Sequence, residues 1–272
     1  MSATLPATAS AAADASASLV RRDDAGGIAT LTLNRPAQFN AINGAMLDAL
    51  QAALDGIAAD GAVRVVVIAG AGRVFCPGHD LKEMLADSTE AGISGLFRRC
   101  CDVMLAIRRL PQPVIARVHG IATAAGCQLV AACDLAVAAD DARFATSGVN
   151  FGLFCATPAV PLSRNIAPKR AFEMLLTGTF IDAPTALAWG LVNRVVPVEA
   201  LDAETIALAQ SMMDKPPAVV ALGKRFFYEQ LERTLQDAYA AGTGVITANM
   251  LGAEAQEGIA AFVEKRKPRW QG

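Results

Sequence analysis

The sequence predicts an α/β fold with a helical C-terminal region, and three observations support this prediction. Short β-type runs alternate with helical patterns up to about residue 158, and helical patterns dominate the rest of the chain. No internal repeat has a fixed period, and no linker rich in Pro, Gly and Ser separates two autonomous domains. Alternating strands and helices followed by further helices are typical of an α/β core with a helical lobe.

The predicted strands are short apolar runs. Residues 63–69 form a continuous β-branched run, which is typical of a strand that is buried on both faces. The run at residues 27–33 ends at Asn34-Arg35-Pro36, a sequence that favours a turn. Two more strands are predicted at residues 113–118 and 135–138.

Helices are predicted where apolar residues recur at near-helical spacing. Asn43 is the expected N-cap of the first helix, because such spacing runs from Met46 to Ile57. Two further helices are expected at residues 93–109 and 128–132. In the C-terminal part, the predicted helices cover residues 169–176, 184–189, 201–213, 217–231, 235–250 and 254–265.

The composition excludes two classes of protein. A bilayer-spanning helix needs about 20 mostly apolar residues, but Arg64 and Asp134 interrupt the most apolar stretches. The 53% of hydrophobic residues therefore predicts a subunit interface instead of a membrane segment. The formal net charge of −2 lacks the basic surplus that nucleic-acid binding usually requires, so no nucleic-acid partner is expected.

Cysteine and histidine usage predicts an intracellular protein without a metal site. The six cysteines form no CxxC pair, and His79 and His119 are the only histidines in the sequence. Residues 1–18 contain no Lys or Arg, so they match neither a secretory signal nor a transit peptide. We expect them to form a disordered tail, and we expect the protein to be cytoplasmic with reduced thiols.

Two loops carry the candidate chemistry, at residues 75–84 and 119–129. Each follows a β-type run, contains small residues and leads into a helix. Backbone N–H groups at a helix N-terminus carry partial positive charge, and two such ends facing each other can hold one oxyanion. Small residues between a strand and a helix are also typical of packing and turns, so spacing alone leaves both interpretations open.

Five motifs resemble those of the crotonase (enoyl-CoA hydratase/isomerase) superfamily. The acyl-CoA loop of that family is similar to LNRPAQFNAIN at residues 33–43, and its first oxyanion loop to AGRVFCPGHDLKEM at residues 71–84. Its second oxyanion loop and following strands resemble PQPVIARVHGIATAAGCQLVAACDLAVAADDARFA, residues 111–145. Its C-terminal blocks resemble residues 172–197 and 257–270, so the similarity extends from about residue 19 to the C-terminus.

The resemblance implies a crotonase-like α/β fold. It would have a ββα spiral core at residues 19–198 and a helical C-terminal trimerisation region at residues 199–272. The chain would form a homo-oligomer, either a trimer or a dimer of trimers. The ligand would be an acyl-CoA thioester, with coenzyme A as part of the substrate and no separate cofactor.

The resemblance also implies which residues form the site. The oxyanion donors would be the amides of His79 and Ala125. The family usually has glycine where Ala125 stands, and a methyl group is tolerated there only if φ is not positive. Residues matching the substrate-binding motifs are Gln38, Phe39, Ala41, Cys76, Gly78, Asp80, Leu81, Lys82, Ser147 and Gly148.

The sequence departs from the family at both catalytic acids. Gln128 stands where the hydratases carry one glutamate, and Ser147-Gly148 replaces the Pro-Glu pair that carries the other. Hydration needs one group to accept a proton and one to donate a proton, and the amide of Gln128 does not titrate usefully. Since a positioned acid or base contributes about 10²–10⁴-fold, efficient hydration is not expected.

Two functions remain from the sequence. Gly78-His79-Asp80 also resembles methylmalonyl-CoA decarboxylases of the superfamily, which lack the two glutamates. Decarboxylation needs a stabilised enolate but no general base, so decarboxylation of a malonyl-CoA-type substrate by a lyase is the leading hypothesis. The alternative is a non-catalytic acyl-CoA-binding or scaffold protein.

Four other residues are expected to have secondary roles. Asp80 would cap the helix that follows it, and Asp134 would be a buried structural acid. Cys155 falls near the expected wall of the site. Lys224 would either meet the phosphates of coenzyme A or lie on the solvated surface.

Overall fold

The computed structural model describes residues 18–270 as an α/β fold with two sheets. The strands of these residues, in chain order, are β1 (Val20–Ala25), β2 (Ile28–Leu33), β3 (Val65–Gly70), β4 (Val114–Val118), β5 (Ile121–Thr123), β6 (Leu135–Ala139), β7 (Arg143–Ala145), β8 (Ile181–Asp182) and β9 (Arg194–Val196). The larger sheet has the order β1-β2-β3-β4-β6-β9, and the smaller one has the order β5-β7-β8. In the larger sheet only β1 and β2 pair antiparallel.

The helices pack on both sides of the larger sheet and then form a C-terminal arm. They are α1 (Gly44–Ala58), α2 (Leu81–Ala86), α3 (Glu90–Arg109), α4 (Ala125–Ala132), α5 (Ala156–Asn165), α6 (Pro168–Thr177), α7 (Ala183–Trp189), α8 (Leu201–Met213), α9 (Pro217–Gln230), α10 (Leu235–Met250) and α11 (Ala253–Val263). As predicted, Asn43 caps α1, its side chain accepting a hydrogen bond from the Met46 amide.

The strand β3 explains why the core has two layers. All six of its residues are buried, as the continuous β-branched run predicts. Alternate side chains point to opposite faces of a sheet. Val66 and Ile68 therefore belong to the large core that includes α1, α3 and α4, whereas Val65 and Val67 pack in a second core with α8.

The C-terminal arm is attached to the core through a buried polar cluster. Among the described residues, no side chain of α9 or α10 belongs to either apolar core. The Lys224 ammonium lies 2.7 Å from the Asp134 carboxylate, and the Tyr228 hydroxyl donates to the same carboxylate at 2.7 Å. Asp134 is thus a structural acid, as expected. The expectation for Lys224 is wrong, because its ammonium is buried in an ion pair at the amino end of β6.

Several elements differ from the sequence predictions. The strands β1, β5, β7, β8 and β9 and the helix α5 were not predicted, and α3 begins at Glu90 instead of residue 93. The helix expected at residues 128–132 begins three residues earlier, at Ala125. Its first turn is too rich in Gly and Ala to show helical periodicity.

Two further sequence predictions concern the N-terminal tail and membrane-spanning helices. The tail predicted at residues 1–18 lies outside the described residues, apart from Ser18. Within residues 18–270, no helix has both the length and the apolar character that crossing a bilayer requires.

Candidate active site

The two predicted oxyanion loops lie side by side, joined through the backbone of Cys76. The Cys76 amide donates to the Ile121 carbonyl at 3.0 Å, and the Thr123 amide donates to the Cys76 carbonyl at 3.0 Å. Cys76 therefore extends the small sheet beyond β5, as the parallel bridge between Cys76 and Ala122 also shows. The first loop is held against the residues that lead into α4.

Glycine permits this close approach at two positions. A Cβ atom on Gly126 would lie 2.1 Å from the Cys76 carbonyl oxygen. A Cβ atom on Gly78 would lie 2.9 Å from the Ala124 Cβ, and the φ of Gly78 is +108°. Contacts this short between non-bonded atoms do not occur without displacement, so both glycines are required by the contact between the loops.

The amide of His79 points away from the loop that flanks it. The Ile42 amide donates to the Gly78 carbonyl, and the Ile42 carbonyl accepts from the Asp80 amide, both at 2.8 Å. In a parallel ladder, one residue bonds to the two neighbours of its opposite residue. The His79 N–H therefore faces the other side, and it meets no acceptor within residues 18–270.

The second candidate donor is the amide of Ala125, the first residue of α4. The first N–H groups of a helix lack an intrahelical acceptor, and this one has no other partner in the described part of the chain. Ala125 does not have a positive φ, so its methyl group is tolerated. The unusual backbone lies one residue earlier, because Ala124 has φ 49° and ψ −118°.

Two uncharged polar side chains, of His79 and of Gln128 in α4, contact successive turns of α3. The His79 ring meets the Phe97 ring edge-on, with centroids 5.2 Å apart. Gln128, three residues after Ala125, is buried, and its Oε1 atom lies 4.0 Å from the Cys100 thiol. Residues three apart are neighbours on a helix surface, so Phe97 and Cys100 make these two contacts from one face of α3.

The His79 imidazole is neutral at physiological pH. Both of its ring nitrogens are buried without a hydrogen-bond partner among the described residues. Burial lowers its pKa to about 4, because desolvation disfavours the charged form, and the nearby Ile42 backbone opposes this effect only weakly. The ring therefore offers one donor and one acceptor, but no positive charge.

The acids of the first loop are engaged in structural contacts. The Asp80 carboxylate pairs with the Arg35 guanidinium at 3.1 Å and caps α2 through the Lys82 amide at 3.1 Å, as predicted for a cap. Partial burial opposes this charge, but these bonds lower the Asp80 pKa. The Glu83 carboxylate accepts a hydrogen bond from the Gly44 amide at 3.0 Å.

Gly148, where the resemblance implies the second acid, leaves no room for a side chain. A Cβ atom on Gly148 would lie 2.6 Å from the Leu153 carbonyl oxygen and 2.7 Å from the Cys155 sulfur. The neighbouring Ser147 hydroxyl lies 2.8 Å from the Thr123 hydroxyl, at the end of β5. The sulfur of Cys155 thus limits the space at Gly148, and burial raises the pKa of its thiol.

The remaining predicted substrate-binding residues lie on an exposed rim. Phe39 has a left-handed backbone with φ 54° and exposes 53% of its surface. Gln38 in the preceding turn is exposed, as are Leu81 and Lys82 in the first turn of α2, and Ala41 is partly buried. Asn40, which the sequence analysis missed, is fully buried in the same loop. Within residues 18–270, no three His, Cys, Asp or Glu side chains form a metal-binding group.

Comparison with known proteins identifies the family. The sequence model described as "Enoyl-CoA hydratase/isomerase" matches residues 23–272. The chain belongs to the enoyl-CoA hydratase/isomerase family. Its crotonase fold is confirmed by a crystal structure titled as enoyl-CoA hydratase from Mycobacterium smegmatis, with a TM-score of 0.91 and 56% identity. That comparison covers 93% of this chain and 99% of the other.

Relatives with a more specific name are also similar over most of their length. The Xenopus laevis protein named "Enoyl-CoA hydratase domain-containing protein 3, mitochondrial" is 47% identical over 90% of this chain and 83% of its own. The crystal structure of human enoyl-CoA hydratase domain-containing protein 3 has a TM-score of 0.90 and 44% identity, covering 92% of this chain and 99% of that one. The expectation of a cytoplasmic location is contradicted, because curated relatives are named as mitochondrial proteins.

A methyl group at position 126 is expected to push the two oxyanion loops apart. In Gly126→Ala the new Cβ would collide with the Cys76 carbonyl, so we expect a loss of about 3 kcal/mol in the free energy of unfolding, typical of overpacking. Urea denaturation measures this loss. Gly223→Ala is the control, because nothing lies within 4 Å of its Cβ position in α9, and an unchanged Gly126→Ala would contradict the close contact.

The neutral His79 makes a pH-dependent prediction. In His119→Asn, His79 is the only remaining imidazole, and its NMR signals should titrate near pH 4 instead of 6.5. The unfolded chain binds this proton more readily, so the contribution of His79 to stability is complete above pH 6.5 and is lost as the pH falls towards 4. A midpoint near 6.5 would show that the ring is solvated.

Proposed function

We propose that this chain is a lyase that stabilises a thioester enolate between the amides of His79 and Ala125 and removes carbon dioxide from a malonyl-CoA-type substrate. The observation that carries the proposal is the pair of amides without a partner among residues 18–270, while the carboxylates of the first loop, Asp80 and Glu83, are held in structural contacts. Backbone donors aimed at a developing oxyanion are the largest single contribution in many such reactions, at about 2.7–4 kcal/mol per donor.

Decarboxylation matches the groups that the site offers. The bond between the α-carbon and the carboxylate breaks, its electron pair passes into the thioester as an enolate, and carbon dioxide leaves. The enolate then takes a proton from water. No base is needed in the first step, and the neutral His79 and Gln128 place no fixed positive charge that would stabilise the carboxylate before it leaves.

Hydration fits these groups less well. Adding water to a double bond needs an acceptor and a donor of protons in one site. Gln128 can hold a water molecule by hydrogen bonds but does not ionise usefully, and Asp80 and Glu83 are held by Arg35 and Gly44. Ser147 and Thr123 present hydroxyls bonded to each other, which do not replace a carboxylate at neutral pH.

The exposed rim suits the coenzyme A part of the substrate. Gln38, Phe39 and Ala41 lie in the loop that pairs with the first oxyanion loop through Ile42, and Leu81 and Lys82 lie in the first turn of α2, where the oxyanion loop ends. The Phe39 ring offers an apolar surface, and the Lys82 ammonium offers a positive charge for phosphate. Coenzyme A enters as part of the thioester, and the proposed reaction requires no other cofactor.

We also propose that the chain assembles as a homotrimer or a dimer of trimers. The arm α9–α11 exposes large apolar side chains, including Tyr239 at 72%, Leu251 at 78% and Phe262 at 85% exposed. Apolar surface of this extent on helices with almost no buried residues marks an interaction site. The other prominent apolar side chains of the arm are Phe227, Leu231, Leu235, Ile246, Met250, Ile259 and Val263.

Substrate comparison tests the proposed reaction. We expect the purified protein to convert methylmalonyl-CoA to propionyl-CoA and carbon dioxide, and to hydrate crotonyl-CoA at least about 10²-fold more slowly, because both acids are absent. Coupled assays for both products, with binding measured in parallel, check this. Gln210→Ala, at an exposed position of α8, is the control for Gln128→Ala.

Two outcomes would contradict decarboxylation. Tight binding of both CoA esters without turnover would favour the non-catalytic acyl-CoA-binding protein, which the loss of both carboxylates also permits. Rapid hydration of crotonyl-CoA that is abolished in Gln128→Ala would show that Gln128 suffices for water activation.

Light scattering tests the assembly. We expect a mass of three or six times the 28.2 kDa of one chain. Phe262→Glu should reduce this mass, because it places a charge on the apolar arm. Leu85→Glu is the control, since Leu85 is 80% exposed but lies in α2, outside the arm. A monomeric wild-type protein would refute the proposal.

A further inference from the structure

Asn40 holds the segment that precedes the first oxyanion donor. Its side chain is fully buried, and its Nδ2 group lies within hydrogen-bond distance of three backbone carbonyls of one loop. The distances are 2.7 Å to Ala71, 2.9 Å to Val74 and 3.2 Å to Phe75. The two hydrogens of the amide group are shared among these three acceptors, and turning the amide over would place its oxygen against carbonyl oxygens, so the loop fixes its orientation.

The same residue is fixed within its own loop. The Asn40 Oδ1 atom accepts from the Arg35 amide at 3.0 Å, and the Asn40 amide donates to the Arg35 carbonyl at 2.9 Å. Its backbone is left-handed, with φ 63°, a conformation that asparagine adopts more readily than most residues. Every polar group of the side chain is therefore used, with none left for substrate.

Two contacts from this loop hold the segment around His79. The Asn40 side chain donates to carbonyls up to that of Phe75, four residues before His79. The Ile42 backbone bonds to Gly78 and Asp80, the two neighbours of His79. Only one residue separates Asn40 from Ile42, so a displacement of the asparagine moves both contacts together. The direction of the His79 N–H depends on the Ile42 contact, as shown by the ladder geometry above.

We propose that Asn40 is a positioning residue that aims the His79 amide at the thioester oxygen. The inference rests on the proposed oxyanion hole, but not on the identity of the acyl group or on decarboxylation. Asn40 acts through the backbone of residues 71–80 and does not touch substrate. A misplacement of about 1 Å in such a site is enough to lower a rate by about 10²-fold.

The substitutions separate the side-chain contacts from the backbone conformation. Asn40→Asp keeps the shape and the acceptor for the Arg35 amide, but it turns an oxygen towards three carbonyl oxygens. Asn40→Gly keeps the left-handed backbone without strain and removes the side chain. Asn34→Asp is the matched control, because Asn34 lies in the same loop and its side chain donates one hydrogen bond, to the Ser18 carbonyl.

The readout is the infrared frequency of the thioester carbonyl in bound ¹³C-carbonyl acetyl-CoA, compared with the free ester. Hydrogen bonds from the two amides polarise this carbonyl, so its frequency should fall in the wild-type protein and in Asn34→Asp. In Asn40→Asp and Asn40→Gly most of this shift should be lost, with the dissociation constant changed less than about tenfold. With a substrate that turns over, kcat should fall about 10²-fold with little change in KM.

The outcomes distinguish this inference from the proposed function. If the wild-type protein binds acetyl-CoA without any carbonyl shift, the oxyanion hole is absent and both proposals fail. If the shift is present and both Asn40 variants retain it in full, the positioning role alone is refuted. Thermal denaturation shows whether each variant is folded. If Asn40→Asp does not fold, the carbonyl shift in Asn40→Gly decides the question.

Discussion

The backbone contact between the two loops at Cys76 sets the geometry of the whole site. Cys76 is paired through both its amide and its carbonyl with β5, and the same carbonyl lies against Gly126 in the first turn of α4. His79 follows three residues after Cys76, and Ala125 directly precedes Gly126. The two candidate donors are therefore placed by one backbone contact, with little freedom to vary their separation.

The absence of a side chain at Gly126 and the positive φ of Gly78 follow from this contact between Cys76 and the first turn of α4. The unusual φ of Ala124 lies at the same junction, where the surrounding structure holds it in place.

The charges of the first loop stabilise its shape and leave the site itself neutral. Asp80 and Glu83 lie close to His79 in sequence, yet one is paired with Arg35 and the other caps α1. His79 itself carries an imidazole whose pKa is too low for it to be charged at pH 7, and Gln128, three residues after Ala125, carries an uncharged amide. In a site of low polarity, the partial charges of backbone N–H groups act more strongly than they do in water. A reaction in which a carboxylate is lost and the negative charge moves to the thioester oxygen benefits from this arrangement.

Sequence periodicity predicted the long amphipathic elements well, because their signal is local. The bounds of α8 and α10 agree with the prediction, and so does the N-cap Asn43. The strand β5 was not predicted, because its three residues form a strand only by pairing with β7 and Cys76, which are distant in sequence. The role of Asn40 was missed for the same reason, since its three acceptors lie 31 to 35 residues further along the chain. The family resemblance identified the loops, but it gave neither the partners of Asp80 nor the burial of Lys224.

The two positions where the resemblance implies catalytic acids differ in how they could hold a carboxylate, and this difference constrains the chemistry of the chain. At position 128 a glutamine has nearly the shape of a glutamate, so one substitution would place a carboxylate beside Cys100. At position 148 a side chain would collide with the carbonyl of Leu153 and with the sulfur of Cys155. These atoms belong to the segment between the turn at Ser147–Phe151 and the start of α5, where the Leu153 amide also donates to the Gly148 carbonyl. A second acid would require this segment to take another course. The lack of paired carboxylates is therefore a property of the backbone at residues 148–155 as well as of the side chains that occupy it.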